Sequence, residues 1–173
     1  MSLIVRRMIV QDVPAAHEID RLSFTLPWPE RSLRFEVTDN PAARCWAAEL
    51  DGHVVGMLIL WMIVDEAHIA TLATHQEFRR QGIAKQLLVA ALDYAYTESA
   101  RSALLEVRAG NEAAQAMYRK FGFEVVGRRE RYYKDNNEDA VLMTLHRLPV
   151  EPLTRNLIWG RTGQQGSAWT EKR

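Results

Sequence analysis

Apolar strands and amphipathic helices alternate along residues 67–133 of this 173-residue chain. A strand that leads through a helix to a second strand forms a right-handed crossover, so we expect parallel strands in the middle of a sheet. Two such crossovers overlap here, one through residues 67–110 and the next through 102–133. In chain order the predicted elements are a strand over 67–74, a helix over 83–99, a strand over 102–110, a helix over 111–121 and a strand over 123–133.

The flanking segments complete a mixed α/β domain. Asp51-Gly52 lies between two apolar runs, an arrangement typical of a β-hairpin with a tight turn. Pro27 and Pro29 require a loop between two helical patterns near the N-terminus. These flanking elements are a strand over 3–9, helices over 13–24 and 30–37, hairpin strands over 44–50 and 54–64, and a last strand over 139–148.

Composition argues against several classes of protein. The 22 basic and 22 acidic residues leave no net charge, which is unusual for a nucleic-acid-binding protein. The longest apolar run, 54–64, is well short of the ~20 residues that span a bilayer. The five histidines lack the spacing of metal ligands, and Cys45 has no second cysteine to pair with. We therefore expect a cytoplasmic protein without a metal or a membrane segment. Cys45 is expected to be a buried strand residue, the alternative being an acyl-enzyme nucleophile.

Residues 74–88 are the first segment with the properties of a ligand site. A strand ends there, a basic loop turns, and a long amphipathic helix begins. This arrangement points backbone N–H groups and the positive end of the helix at an anion, and Gly82 permits close approach of the backbone. The cationic residues Arg79, Arg80 and Lys85 add charge for phosphate oxygens. The alternative is an ordinary basic start of a helix. The chain has neither a Walker A loop nor a Gly-x-Gly sequence.

Residues 104–123 form the second such segment. Glu106 alternates with Leu105 and Val107, so its carboxylate faces away from their side of the strand. A desolvated carboxylate there would have a raised pKa and would suit a general base, whereas an exposed or ion-paired glutamate would be structural. Asn111 and Tyr118 are seven residues apart and share a helix face. Each also has a simpler interpretation, as an N-cap and a half-buried tyrosine.

Both segments resemble those of a known family. Arg-Arg-Gln-Gly-Ile-Ala at the start of a helix resembles the acyl-CoA pyrophosphate loop of the GNAT superfamily of N-acetyltransferases. LEVRAGNEAAQAMYRKFGF, GRRERYY, NEDAVLM and the earlier FTLPWPE resemble its RimI branch, which acetylates protein N-termini, including a ribosomal-protein alanine. The resemblance covers about residues 3–146. It implies the GNAT fold, a mixed central sheet of about seven strands with helices on both faces, over residues 1–148, followed by a C-terminal tail over 149–173 of unassigned role.

The resemblance also implies roles for individual residues. Glu106 would be the general base and Tyr118 the general acid in direct transfer from acetyl-CoA to an amine. Two departures are Ala84, where many relatives have glycine, and His75-Gln76, where an acidic residue and proline are common. The residues implied to bind acetyl-CoA are Leu72, Ala73, Thr74, Arg79, Arg80, Gln81, Gly82, Ile83, Ala84, Lys85 and Asn111.

The acceptor is expected to be the α-amine of a protein N-terminus, with a ribosomal protein as the type the resemblance implies. Trp28, Tyr132 and Tyr133 would line a peptide channel, or they simply pack. Two alternatives stay open: a GNAT enzyme that acetylates a small-molecule amine, and a CoA-binding regulatory module without turnover. An acceptor site with several carboxylates would favour a small amine, and a narrow aromatic cleft would favour a peptide terminus.

Overall fold

A seven-stranded sheet with four helices forms the fold in the computed structural model, which describes residues 2–153. The strands are β1 (Leu3–Arg7), β2 (Ala43–Leu50), β3 (His53–Ile63), β4 (Glu66–Thr74), β5 (Ser102–Arg108), β6 (Glu124–Tyr133) and β7 (Glu138–Leu145). The helices are α1 (Val13–Ser23), α2 (Glu30–Thr38), α3 (Ile83–Thr97) and α4 (Glu112–Lys120), with short 3-10 turns at Val10–Asp12 and Gln76–Phe78.

The sheet order is β1-β2-β3-β4-β5-β7-β6. The first predicted crossover is confirmed, because β4 and β5 are parallel neighbours joined through α3. The second leaves β5 and β6 running in the same direction but not side by side, since β7 lies between them and is antiparallel to both. The apolar β7 thereby takes the interior position, and β6 with its Arg-Arg-Glu-Arg sequence takes the exposed edge, where charges discourage pairing with another chain.

Helices cover both faces of the sheet, as the resemblance implied. Consecutive strand residues point to opposite faces, so Met57 and Leu58 of β3 belong to two different cores. On one face, α1 and α2 bury residues such as Ile19 and Leu33 against β2, β3 and β4. On the other face, α3 and α4 pack against the same sheet in a larger core.

The described chain continues past the predicted domain end. Leu153 is buried in the core under α3, and its backbone N–H donates to Asp93 Oδ1 at 2.7 Å. The predicted boundary at 148/149 stays a prediction, because residues 154–173 of the predicted tail lie outside the described residues. Within residues 2–153, no helix is both long enough and apolar enough to cross a membrane.

Candidate active site

The strands β4 and β5 separate halfway along their length. Their parallel ladder ends at the pair Ile69 and Leu105. Ala70 is an extra residue in β4, because Ile69 and Thr71 face consecutive residues of β3. Beyond this bulge β4 stays paired with β3 while β5 stays paired with β7, so the two halves of the sheet diverge. A bulge that ends strand pairing and redirects side chains is common beside active sites.

Two cavities meet at this divergence. The first, about 530 Å³, lies among the α1–α2 segment, the second half of β4, the end of β5, the start of α4 and the β6–β7 turn. The second, about 500 Å³, lies over the face of β4, β5, β7 and β6, next to Trp28 and Trp61. Among the described residues, Glu106 is the one carboxylate that lines both cavities.

Glu106 is accessible rather than desolvated. Its side chain is 31% exposed, and its Oε1 lies 3.3 Å from the guanidinium of Arg129. A hydrogen bond with this carboxylate is the main reason that the pKa of Tyr132 is raised. The ion pair that the sequence allowed with Arg108 is not formed, because Arg108 instead binds Asp135 at 2.9 Å and Glu138 at 3.2 Å. Glu106 is therefore exposed and ion-paired, as in the structural interpretation of this residue, although its partner is Arg129 rather than Arg108. Its carboxylate nevertheless remains open to both cavities, and the case for a general base depends on that position.

Tyr118 lies on α4, and Asn111 lies just before its first residue on the same side, as their spacing predicts. Both line the first cavity with Glu106. Tyr118 is buried, and this burial raises the pKa of its hydroxyl well above the usual value of a tyrosine. Asn111 is the N-cap of α4, and its side-chain oxygen accepts the N–H of Ala114 at 3.1 Å. The structure thus gives Asn111 its capping role and also places it at the cavity.

The start of α3 has the features of an anion site. Gly82 is its N-cap in the left-handed region, at φ +79°, and no side chain caps the helix. The first-turn N–H groups of this 15-residue helix therefore have no side-chain acceptor, and its dipole favours an anion there. Arg80 and Gln81 are exposed beside Gly82.

The other predicted loop residues are in different surroundings. Arg79 donates to the carbonyl of Thr74 at 3.2 Å and to Ser23 Oγ at 3.4 Å, so its guanidinium holds the loop against α1. Ile83 is buried in the core, where only its backbone can meet a ligand. Ala84 and Lys85 are half-buried, and desolvation lowers the pKa of Lys85, with a smaller contribution from the charge of Lys120.

The end of β4 carries an unsatisfied polar atom. Among the described residues, the hydroxyl of Thr74 is a buried side-chain oxygen with no hydrogen-bond partner. Buried hydroxyls nearly always have a partner, so the end of β4 is a place where a polar partner is expected. Leu72 lines the first cavity, whereas the side chain of Ala73 packs on the opposite face against α1. This part of the structure fits a ligand held mainly by strand backbone.

Aromatic residues line the second cavity. Trp28 stacks on Trp61, with ring centroids 6.1 Å apart and planes 17° from parallel. Tyr132 and Tyr133 meet edge to face at 5.2 Å. The guanidinium of Arg108 lies 3.9 Å above the ring of Tyr133, a cation–π contact. The predicted substrate residues Trp28, Tyr132 and Tyr133 are therefore brought together beside Glu106.

Sequence reasoning missed Trp61, Arg129 and Asp20. Trp61 lies in the predicted apolar strand 54–64, and in addition its N–H donates to Glu36 at 2.8 Å and its ring supports Trp28. Asp20 is buried in α1 and accepts the N–H of Trp28 at 2.7 Å, which fixes the α1–α2 segment. An acidic residue among the apolar positions of an amphipathic helix can be recognised in the sequence, and Asp20 is such a residue. The approach of Arg129 to Glu106 has no local signal, because it depends on strand order.

His75 supplies an explanation for one departure from the family pattern. It precedes the turn Gln76–Phe78, and its Nδ1 accepts the N–H of Glu77 at 3.4 Å. His75 therefore caps this turn, and a carboxylate at the same position could accept the same N–H.

Cys45 is a buried strand residue, as expected. Its thiol lies 3.6 Å from the carbonyl of Glu36, and burial raises its pKa to about 12. A thiol with so high a pKa forms little thiolate at neutral pH, so it is unsuited to nucleophilic attack. In the part of the chain that the structure describes, no group of three or more His, Cys, Asp or Glu side chains is placed to hold a metal ion.

Comparison with known proteins places this geometry in a family. Residues 13–123 match the Acetyltransferase (GNAT) family. A Bacillus subtilis (strain 168) protein whose name assigns it provisionally as a ribosomal protein bS18-alanine N-acetyltransferase is 39% identical over 139 residues, covering 80% of this chain and 92% of that protein. The ribosomal protein bS18-alanine N-acetyltransferase of Escherichia coli (strain K12) is 31% identical over 145 residues, covering 78% and 90%.

A solved structure agrees with these sequence matches. The crystal structure of the ribosomal-protein-S18-alanine N-acetyltransferase from Escherichia coli superposes with a TM-score of 0.79 at 27% identity, covering 87% of this chain and 96% of that one. The residues matched by the family, 13–123, include the divergent strands, the start of α3 and Glu106. The resemblance drawn from the sequence is therefore confirmed, and this chain belongs to the acetyltransferase (GNAT) family.

Proposed function

We propose that this chain transfers an acetyl group from acetyl-CoA to the α-amine of a protein N-terminus, with Glu106 as general base and Tyr118 as general acid. The observation that carries the proposal is the position of Glu106 where the two cavities meet. A carboxylate shared by both cavities can act on an amine in one while the acyl donor occupies the other. The reaction then depends mainly on holding the two substrates together.

The first part of the proposal concerns acetyl-CoA, which supplies an activated thioester carbonyl. The first-turn N–H groups of α3, with Arg80 beside them, would bind its pyrophosphate. The backbone of Leu72–Thr74 and the unsatisfied hydroxyl of Thr74 would hold its extended arm. Asn111 would contact it from the start of α4. These groups fit an extended ligand with a strongly anionic end.

The second part concerns proton movement. A protein α-amine has a pKa of about 7.7–8.0, so much of it must lose a proton before it attacks. Glu106 accepts that proton, directly or through a water, while Arg129 orients its carboxylate. Tyr118 keeps its proton at neutral pH, because burial raises its pKa, and donates it to the leaving sulfur. Backbone N–H groups of β4 beyond the bulge stabilise the developing negative charge.

The third part concerns the acceptor. Carboxylates do line the first cavity, as a small-amine enzyme would require, but Asp135 and Glu138 are bound to Arg108 and Asp20 accepts the N–H of Trp28. The second cavity has no carboxylate besides Glu106 among its described lining residues, and its aromatic walls of Trp28, Trp61, Tyr132 and Tyr133 suit a peptide end. The names of the two relatives add the finer proposal that the acceptor is the N-terminal alanine of a ribosomal protein.

The test measures thiol release from acetyl-CoA with a panel of acceptors. The panel contains a peptide with a free N-terminal alanine, the same peptide with a blocked N-terminus and an internal lysine, and a polyamine. We expect turnover with the free N-terminus and little with the other two. Inactivity on every peptide, together with turnover on the polyamine, would replace the proposed acceptor with a small amine.

A further inference from the structure

Two consecutive residues of β6, Tyr132 and Tyr133, line the same cavity. In a regular strand, neighbouring side chains point to opposite faces, so one of the two rings would face away. Here the ring centroids are 5.2 Å apart. The Tyr132 hydroxyl interacts with Glu106, and the Tyr133 ring lies under Arg108. Some local irregularity must therefore redirect one of the two side chains.

That irregularity is a bulge in β6. Arg129 pairs with Ala140 and Tyr133 pairs with Glu138, so four steps along β6 match two steps along β7. Arg131 lies inside the bulge at φ +50°, in the left-handed region that residues other than glycine rarely adopt. A long side chain in this conformation persists when neighbouring groups hold it there.

The side chain of Asp139, on β7, forms the hydrogen bond that holds the bulge at Arg131. Its Oδ1 accepts the backbone N–H of Arg131 at 2.9 Å, which gives the displaced N–H a partner. Its Oδ2 binds the guanidinium of Arg128 at 3.1 Å. The backbone of Asp139 is fixed as well, because its carbonyl accepts the N–H of Ala109 at 3.0 Å just beyond β5. Asp139 thus joins the bulge to the strand pair beside Glu106.

We propose that Asp139 is a positioning residue for the acceptor site: its hydrogen bond to the Arg131 N–H holds the bulge that turns Tyr132 and Tyr133 together toward Glu106. Asp139 touches neither substrate in this account. The inference rests on the proposed function for its kinetic consequences, while the hydrogen bond itself is independent of any activity.

The kinetic test compares Asp139→Ala with Asp139→Asn and Arg128→Ala. Asp139→Ala removes the acceptor, and we expect kcat/KM for the peptide to fall about 10- to 100-fold, with a raised peptide KM and an unchanged acetyl-CoA KM. Asp139→Asn keeps an oxygen for the N–H, and Arg128→Ala removes only the ion pair, so both should stay close to wild type. Adding Arg131→Gly to Asp139→Ala should recover part of the loss, because glycine adopts positive φ without strain.

A second readout does not depend on activity. Hydrogen exchange of the Arg131 amide, followed by NMR, should be slow in wild type and in Asp139→Asn and fast in Asp139→Ala. Wild-type peptide kinetics in Asp139→Ala, or equal losses in Asp139→Ala and Asp139→Asn, would overturn the inference. So would an amide that exchanges equally in all three proteins. If the wild type acetylates no peptide, the proposed function fails, and amide exchange alone then decides whether Asp139 holds the bulge.

Discussion

At the scale of single residues, Arg79 and Arg80 are neighbours with different surroundings. The Arg79 guanidinium bonds to Thr74 and Ser23, whereas Arg80 is exposed beside Gly82 at the uncapped start of α3. From the sequence alone the two arginines look equivalent, because it does not indicate which guanidinium will bond to other parts of the fold. Arg80 is therefore the better candidate for contact with a pyrophosphate.

Arg80→Ala should raise the KM for acetyl-CoA by about 3- to 10-fold, since one solvent-exposed, charge-assisted contact is lost. The KM for acetyl-pantetheine, which has no pyrophosphate, should not change. Arg101→Ala is the matched control, because Arg101 is exposed at the opposite end of β5 from Glu106. Equal effects of Arg80→Ala on both acyl donors would show that Arg80 does not contact the pyrophosphate.

Tyr118 has a direct consequence for pH dependence. Burial raises its pKa above the ordinary value of about 10, with a smaller contribution from Tyr133, so the proton donor stays protonated at every pH below that value. The pH profile of kcat should therefore show no fall on the alkaline side up to about pH 10. Tyr118→Phe should lower kcat by about 100-fold or more across the same range. A wild-type decline centred near pH 9, or an unaltered kcat in Tyr118→Phe, would remove Tyr118 as the acid.

At the scale of elements, Gly56 determines how closely α3 approaches β3. A Cβ on Gly56 would lie 2.9 Å from Cγ2 of Ile83 and 3.1 Å from Cδ1 of Leu87. Ile83 is the first residue of α3, so this contact also fixes the helix end that we assign to the pyrophosphate. A methyl group there must push the helix outward or force Ile83 from its rotamer.

Gly56→Ala should lower the free energy of unfolding by about 1–3 kcal/mol and raise the KM for acetyl-CoA. The KM for the peptide should remain unchanged, since the acceptor cavity lies elsewhere. Denaturant unfolding and steady-state kinetics measure the two effects. Gly127→Ala is a suitable control, because no described atom beyond its two chain neighbours lies within 4 Å of the added Cβ. Equal effects on both KM values would indicate general loosening rather than movement of α3.

Helices and strands could be predicted from the sequence where the periodicity of their apolar residues is strong. The helix predicted over 83–99 is Ile83–Thr97, and the strand predicted over 102–110 is Ser102–Arg108. The bulges at Ala70 and in β6 were not readable, because they are differences in register between strands that local patterns do not record. The position of β7 between β5 and β6 was not predictable either. It depends on whether the apolar β7 or the charged β6 takes the interior of the sheet.

At the scale of the whole molecule, the sheet behaves as two halves that diverge at one point. The half containing β4 and α3 carries most of the groups assigned to acetyl-CoA. The half containing β5, β6 and β7 carries Tyr132 and Tyr133 of the acceptor wall, and Trp28 and Trp61 face them from the other half. Glu106 lies at the divergence. Its position on β5 and that of Tyr118 on α4 were predictable from one continuous segment. The supporting contacts of Trp61 and Arg129 were not, because they come from distant parts of the chain.

The central claim is that Glu106 removes the amine proton at this junction, and Glu106→Gln tests it most directly. Glutamine preserves the shape of the side chain but cannot accept a proton as a carboxylate does. With a free N-terminal alanine peptide at neutral pH, kcat should fall about 100- to 10,000-fold, while the Kd for acetyl-CoA remains as in wild type. An unchanged kcat in a protein that still binds acetyl-CoA would contradict the account.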